Sequence, residues 1–121
     1  MIGCSPENSP VMIRSIEAGR VLDLPSLPTL SDGTAGGMEP GAITFELCRD
    51  LVDDYVTVTE PEIAEALREF MEGHHMLIEG SAAVALASYR KLAPSLEGQN
   101  VVIVLCGANI GLETLRRVLT N

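Results

Sequence analysis

The fold class of this chain is indicated by one stretch of its sequence, Val101-Val102-Ile103-Val104-Leu105-Cys106-Gly107-Ala108-Asn109. Five consecutive aliphatic residues are typical of a strand that is buried on both faces of a parallel sheet. The four residues that follow predict a turn at the carboxyl end of that strand, and a helix is predicted over residues 112–119. A strand followed by a helix is the building unit of α/β folds.

The rest of the chain continues this alternation of short apolar runs and amphipathic segments. The pattern predicts strands at residues 1–4 and 55–58 and helices at residues 10–18, 42–51 and 81–92. In the first of these helices, Ser9 is predicted to be the N-cap, Pro10 the first helical residue and Gly19 the stop. Residues 20–40 are rich in proline and glycine, so we expect an irregular loop, which at that length is usually functional.

The clearest local signal is the sequence Thr59-Glu60-Pro61-Glu62. Threonine with glutamate three residues later has the form of a capping box at a helix N-terminus. Ile63, Leu67 and Phe70 follow at helical spacing, and Gly73 predicts the end of the helix.

Composition limits the classes of function. The 121 residues suit one domain, and a net charge of −9 with 3% aromatic residues argues against nucleic-acid binding. No apolar run approaches the roughly 20 residues that a membrane span needs, and no secretory signal is evident. Three widely spaced cysteines, Cys4, Cys48 and Cys106, form neither a disulfide framework nor a zinc motif, so we expect a reduced cytoplasmic protein.

Ligands of open α/β sheets gather at the carboxyl ends of strands, which makes residues 106–109 the first candidate site. Gly107 would admit a planar ligand to the backbone, and Cys106 would present a small side chain at the strand tip. The alternative is an ordinary turn that contains a buried cysteine. The glycine cluster around Gly33 is a second candidate, and the alternative there is a flexible turn.

Three further groups are weaker candidates. His75 and Glu79 are four residues apart, as two metal ligands on one helix face could be, but glycines interrupt that helix and no third ligand is evident. Glu79 lies among apolar neighbours, where a carboxylate must be paired or have a raised pKa. The acidic residues Asp50, Asp53 and Asp54 are most simply a solvated helix end, and paired-carboxylate catalysis is the remote alternative. Lys91 is the single lysine and lies near a predicted helix end, where a surface lysine belongs.

Taken in order, five segments of the chain resemble the C-terminal part of the threonine/serine dehydratase and serine racemase family. These are pyridoxal-phosphate (PLP) enzymes with the tryptophan synthase β-like fold. The matching segments are Gly3-Cys4-Ser5-Pro6-Glu7-Asn8-Ser9-Pro10, Leu30-Ser31-Asp32-Gly33, Asp53-Asp54-Tyr55-Val56-Thr57-Val58-Thr59-Glu60, Leu77-Ile78-Glu79-Gly80-Ser81-Ala82-Ala83 and residues 101–109. The resemblance implies that residues 1–121 are part of a three-layer parallel-sheet domain, the large PLP-binding domain, which is incomplete here.

The resemblance also implies roles for single residues. The position of Cys106 is usually serine in the family, and its side chain hydrogen-bonds the pyridine nitrogen of PLP. A neutral partner there makes the cofactor a moderate electron sink, which suits β-elimination. Gly33 and Glu79 match residues that line the cofactor side of the pocket, and Gly107 matches the turn that shapes its wall. The family's acidic metal ligands would fall near Ser5 and Val11, so no metal site is implied.

The resemblance implies β-elimination of L-threonine or L-serine to a 2-oxo acid and ammonia, in a homo-oligomer. The family's Schiff-base lysine, its substrate-carboxylate loop and its phosphate loop belong to its N-terminal portion and are not in this sequence. We therefore expect an inactive isolated chain with no catalytic residue of its own. Two alternatives remain, a non-catalytic α/β module that binds a partner or a small acid, and a reading frame without a selected function.

Overall fold

The structure is a computed structural model that describes residues 1–120, and it has an α/β arrangement. The strands and helices, in chain order, are β1 (Ile2–Pro6), α1 (Val11–Glu17), α2 (Ile43–Leu51), β2 (Asp54–Val58), α3 (Glu60–His74), α4 (Gly80–Leu92) and α5 (Leu112–Thr120). Short 3-10 turns cover Asp32–Thr34 and Ala93–Leu96. Within the described residues, no helix has the length and apolar character that crossing a bilayer requires.

The two strands pair in parallel, with Ile2 opposite Asp54 and Pro6 opposite Val58. A parallel pair needs a long crossover connection, and α1, the loop after it and α2 provide one. In the described part of the chain β1 is hydrogen-bonded to β2 alone, so its second edge is open.

The hydrophobic core lies where α3 and α4 pack on each other and α4 packs on both strands. Val58, Ile63 and Leu67 are fully buried at its centre. The small side chains of Ala82 and Ala83, also fully buried, let the N-terminal half of α4 approach its neighbours closely. The core thus holds the start of α4 in a defined position.

The predicted capping box at the start of α3 is confirmed. The Glu62 side chain accepts the Thr59 backbone N–H at 2.7 Å, and the Thr59 hydroxyl accepts the Glu62 backbone N–H at 3.4 Å. The helix ends one residue after the predicted position, at His74 instead of Gly73. His75 ends it in the left-handed conformation, at φ 54°, and donates its backbone N–H to the Met71 carbonyl at 3.0 Å.

Replacing Thr59 with alanine should lower the free energy of unfolding by about 1 kcal/mol, since an N-cap hydroxyl is lost. Urea denaturation followed by circular dichroism measures this change. Thr44→Ala, on the exposed face of α2, is the matched control and should stay within about 0.5 kcal/mol. Equal effects of the two substitutions would contradict the capping role.

Ser9 was expected to cap α1, and this prediction is wrong. Pro10 is the N-cap residue and no side chain caps the helix. The Ser9 hydroxyl instead contacts the Ser26 hydroxyl at 2.7 Å and accepts the backbone N–H of Gly36 at 3.1 Å. Both partners are in the 20–40 loop, so this hydroxyl holds the loop against the end of β1.

The prediction of a doubly buried strand at residues 101–105 is also wrong for this chain. The segment forms no strand, and Val102 and Val104 are 89% and 70% exposed. A strand buried on both faces needs at least one neighbouring strand to pair its backbone groups, and no described segment pairs with this one.

The predicted helix at residues 42–51 is confirmed as α2, but its apolar face is not covered. Ile43, Leu47 and Leu51 are all exposed, whereas Phe45 is buried on the opposite side. This row of three side chains is an apolar surface without a partner among the described residues.

Candidate functional site

Three of the four predicted site residues meet at the N-terminus of α4. Glu79 is the N-cap residue of this helix, and the loop that contains Gly33 and the turn that contains Gly107 both reach it. The Glu79 backbone N–H donates to the Gly107 carbonyl at 3.1 Å. One glutamate therefore contacts segments that lie about 46 and 28 residues away in the sequence.

The two glycines leave space for the Glu79 side chain. A Cβ built on Gly107 would lie 2.2 Å from the Glu79 Cδ, and one built on Gly33 would lie 3.2 Å from Oε1 of the same carboxylate. Real Cβ atoms do not approach other atoms as closely as 2.2 Å, so residue 107 must be a glycine for Glu79 to adopt this position.

Hydrogen bonds keep the Glu79 carboxylate ionised. Its Oε2 accepts the Asn109 backbone N–H at 2.9 Å, and its Oε1 accepts the Ser81 hydroxyl. The Ser81 bond, and secondly the Asn109 bond, lower the pKa of Glu79 below its ordinary value, against the opposing effect of burial. The sequence left a paired carboxylate or a raised pKa as alternatives, and the carboxylate is paired.

Cys106, the fourth predicted residue, is exposed and faces an open groove. This Cys106 groove runs between β1, α4 and residues 101–106 and has a volume of about 420 Å³. We call three of its lining residues, Thr34, Ser81 and Cys106, the polar end of the groove, because they adjoin or contact Gly33, Glu79 and Gly107. The lining as a whole is mostly apolar. A volume of this size is within the range of small-molecule sites.

Two residues at the polar end, Thr34 and Ser81, were not singled out as site residues by the sequence. Ser81 donates its hydroxyl to Glu79, while Thr34 shares a 2.5 Å hydrogen bond with the buried Ser31 hydroxyl. Both lie within a few residues of predicted positions, Thr34 next to Gly33 and Ser81 two residues after Glu79. Their closeness in sequence to Gly33 and Glu79 was the signal that could have identified Thr34 and Ser81 as site residues.

The weaker candidates do not join this cluster. His75 ends α3 and Glu79 begins α4, so the two residues do not share a helix face. Lys91 is exposed, as predicted, and its ammonium donates to the Thr57 carbonyl at 3.0 Å. Asp50, Asp53 and Asp54 are exposed, which agrees with a solvated helix end.

Comparison with known proteins adds a family description. Residues 1–107 match the family model described as "Pyridoxal-phosphate dependent enzyme". The L-threonine ammonia-lyase of Thermotoga maritima is 39% identical over 122 residues, which cover 100% of this chain and 30% of that protein. The putative threonine dehydratase of Sinorhizobium fredii is 35% identical, with 100% of this chain and 37% of that protein covered.

Solved structures agree in fold. The processed form of threonine deaminase isoform 2 from Solanum lycopersicum superposes with a TM-score of 0.85 at 29% identity, covering 98% of this chain and 33% of that one. Maize serine racemase gives a TM-score of 0.81 at 28% identity, covering 98% of this chain and 37% of that one. The chain thus spans about a third of the length of these relatives.

Proposed function

The chain belongs to the family of pyridoxal-phosphate-dependent enzymes, and on this premise we propose that it forms one wall of the cofactor site of a threonine/serine ammonia-lyase. Such an enzyme converts L-threonine or L-serine into a 2-oxo acid and ammonia. The observation that carries the proposal is the position of Cys106, exposed at the polar end of the groove beside the cluster of Gly33, Glu79 and Gly107. Residues 1–121 are then the C-terminal portion of the large domain.

The residues at the polar end of the groove suit a flat heteroaromatic cofactor. The thiol of Cys106 is a weak neutral donor and would face the ring nitrogen of PLP. Gly107 and Gly33 leave space for the Glu79 carboxylate beside the groove, and together these residues would form the wall. When bound, PLP supplies an electron sink for bonds to the substrate Cα. The proposed role of this chain is to hold the ring by a neutral contact and to shape one side of the cofactor pocket.

The chain's single lysine does not fit a covalent attachment to the cofactor. Lys91 is exposed and hydrogen-bonded to β2, and it does not line the Cys106 groove. A lysine nucleophile requires a desolvated or electropositive setting, whereas Lys91 is exposed and its ammonium lies 3.9 Å from the Glu62 carboxylate. The amine that completes the site is therefore proposed to come from other polypeptide.

The groove also has the character of a surface that takes another strand. The open edge of β1 lies along the groove, and Val102 and Val104 are exposed beside the groove. The buried Ser88 hydroxyl also lines the groove and has no hydrogen-bond partner in the described chain. A buried hydroxyl normally has a partner, and the backbone of an incoming strand would supply one. We propose that the isolated chain self-associates through this groove.

The test is a segment exchange in a relative of known length. This chain should replace the 122 matched residues of the Thermotoga maritima enzyme, and the hybrid should form 2-oxobutanoate from L-threonine in the presence of PLP. The isolated chain should give no turnover above background. A soluble, folded hybrid that binds no PLP would contradict the proposal, and turnover by the isolated chain would contradict the assignment of the lysine to other polypeptide.

The proposal extends to location and assembly. Three free cysteines, two of them exposed, suit a reducing compartment, and we propose a cytoplasmic location. The exposed apolar row on α2 supports a homo-oligomer, in which a second copy covers Ile43, Leu47 and Leu51.

A further inference from the structure

We propose that Glu79 is a positioning residue whose side chain clamps the 106–109 turn onto the N-terminus of α4 and so fixes the direction in which Cys106 faces the groove. The clamp is a property of the fold. Its purpose, to orient Cys106 toward a cofactor, rests on the function proposed above.

The hydrogen bonds of the turn carry this inference. Within residues 1–120, the segment 100–110 makes two hydrogen bonds to the rest of the chain, and both are to Glu79. The Glu79 N–H donates to the Gly107 carbonyl at 3.1 Å, and its Oε2 accepts the Asn109 N–H at 2.9 Å. These two bonds hold the turn at Gly107 and Asn109, the residues on either side of Ala108. An eleven-residue segment is thus attached by hydrogen bonds through one amino acid.

Packing acts in the same direction as the hydrogen bonds. The carboxylate occupies the space that a side chain at position 107 would need, because a Cβ there would lie 2.2 Å from the Glu79 Cδ. The carboxylate also lies next to Gly33, where a Cβ would be 3.2 Å from Oε1. The carboxylate can therefore occupy this position beside Asn109 because residues 33 and 107 have no side chains.

The ionised state of Glu79 strengthens the clamp. A charged acceptor makes a stronger hydrogen bond than a neutral one, and the lowered pKa of Glu79 keeps the charge at neutral pH. Because this pKa is lower in the folded chain, the clamp's contribution is present above the ordinary glutamate value and is lost as pH falls through the folded value. Asp32, His75 and Cys106, the titratable side chains on adjoining segments, are not among the causes of this shift.

The first experiment follows the Asn109 amide by NMR in the 121-residue chain. Glu79→Ala should speed its hydrogen exchange by about tenfold or more, since a hydrogen bond to a charged group is lost. Glu79→Gln should restore part of the protection, because its amide oxygen can still accept, but it should abolish the acidic titration of the Asn109 shift. Glu97→Ala, an exposed glutamate near the same segment, is the matched control. Equal exchange rates in the Glu79 and Glu97 variants would overturn the clamp.

The second experiment uses the steric relationship between residues 79 and 107. Gly107→Ala should push the Glu79 carboxylate away from the turn and so weaken its hydrogen bond to Asn109. In the Glu79→Ala background the same substitution meets no carboxylate, so the two effects should not be additive. Gly111→Ala, whose Cβ meets nothing within 4 Å, is the control. Additive effects would overturn the proposal.

A third measurement tests the clamp if the isolated chain aggregates too strongly for NMR. In the segment-exchange hybrid, Glu79→Ala should lower kcat by about tenfold or more with little change in KM, and Glu79→Gln should recover much of that loss. It should also change the absorbance of bound PLP. An unchanged kcat and absorbance would overturn the clamp. Failure of PLP binding by the parent hybrid would instead contradict the proposed function, leaving the exchange and additivity results as the test of the clamp.

Discussion

Replacing Gly80 with alanine should destabilise the chain by about 3 kcal/mol, the upper end of the usual range for overpacking. A Cβ at this position would lie 1.8 Å from the Leu30 carbonyl oxygen, 2.4 Å from the Leu30 carbonyl carbon and 3.0 Å from the Ser31 nitrogen. These are backbone atoms, so no side-chain rotation can relieve the collision. Either the loop or the first turn of α4 must move.

The loop resists such a movement because its own hydrogen bonds hold it. The Leu30 N–H donates to Glu60 Oε2 at 2.7 Å, and the Ser31 N–H donates to Thr29 Oγ1 at 3.1 Å. A shift would break the bond to Glu60, which begins α3, and would separate Gly33 from Glu79. We therefore expect a lower melting temperature together with loss of the site geometry.

Equilibrium denaturation of Gly80→Ala measures the effect, and Gly37→Ala is the control. A Cβ on Gly37 meets nothing within 4 Å and its φ is not positive, so this substitution should be neutral or stabilising by up to about 1 kcal/mol. A Gly80 variant as stable as the Gly37 variant would show that the loop is not held against α4.

The second large effect is expected at Cys106. In the segment-exchange hybrid, Cys106→Asp should lower the rate of threonine elimination by at least about tenfold, because it replaces a neutral contact by an ionised one. A carboxylate at this position would hold the ring nitrogen protonated, which changes the electron demand on the cofactor. Cys106→Ser keeps a neutral donor and should retain activity.

Comparing Cys106→Asp with Cys106→Ser separates the effect of charge from the effect of side-chain size. Aspartate and serine are both small and polar, and Cys106 is exposed in the groove, so neither substitution removes core packing. 2-Oxobutanoate formation at saturating threonine, with PLP content measured by absorbance, is the assay. Equal rates for the Asp and Ser variants at equal PLP content would contradict the placement of Cys106 against the cofactor ring.

The predicted fold class is confirmed. The prediction succeeded because it used signals from residues that are close together in the sequence. Short apolar runs and caps depend on neighbours in sequence, so the capping box at Thr59 and the helix 80–92 were predictable. The same reasoning failed for Ser9, because its hydroxyl bonds to residues 17 and 27 positions away rather than to the next turn. It failed for residues 101–105 because burial of a strand depends on neighbouring strands.

The sequence selected candidate site residues, but it did not predict how they are arranged. Gly33, Glu79 and Gly107 were singled out first by residue patterns and then by resemblance, and the structure brings all three together. That the Glu79 carboxylate lies against Gly107 and accepts the Asn109 N–H depends on contacts across about 30 residues, which no local pattern encodes. The contribution of Ser81 to the ionisation of Glu79 is likewise visible in the three-dimensional arrangement alone.

The parallel pairing of β1 with β2 has a consequence for the order of folding. Ile2 pairs with Asp54, so the two strands close a loop of about 50 residues, whereas α3 and α4 follow each other after a short connection. Closing a long loop loses more chain entropy before any contact compensates for it. We therefore expect the α3–α4 hairpin to act as the folding nucleus. Nascent polypeptide would hold β1 unpaired until that nucleus has formed.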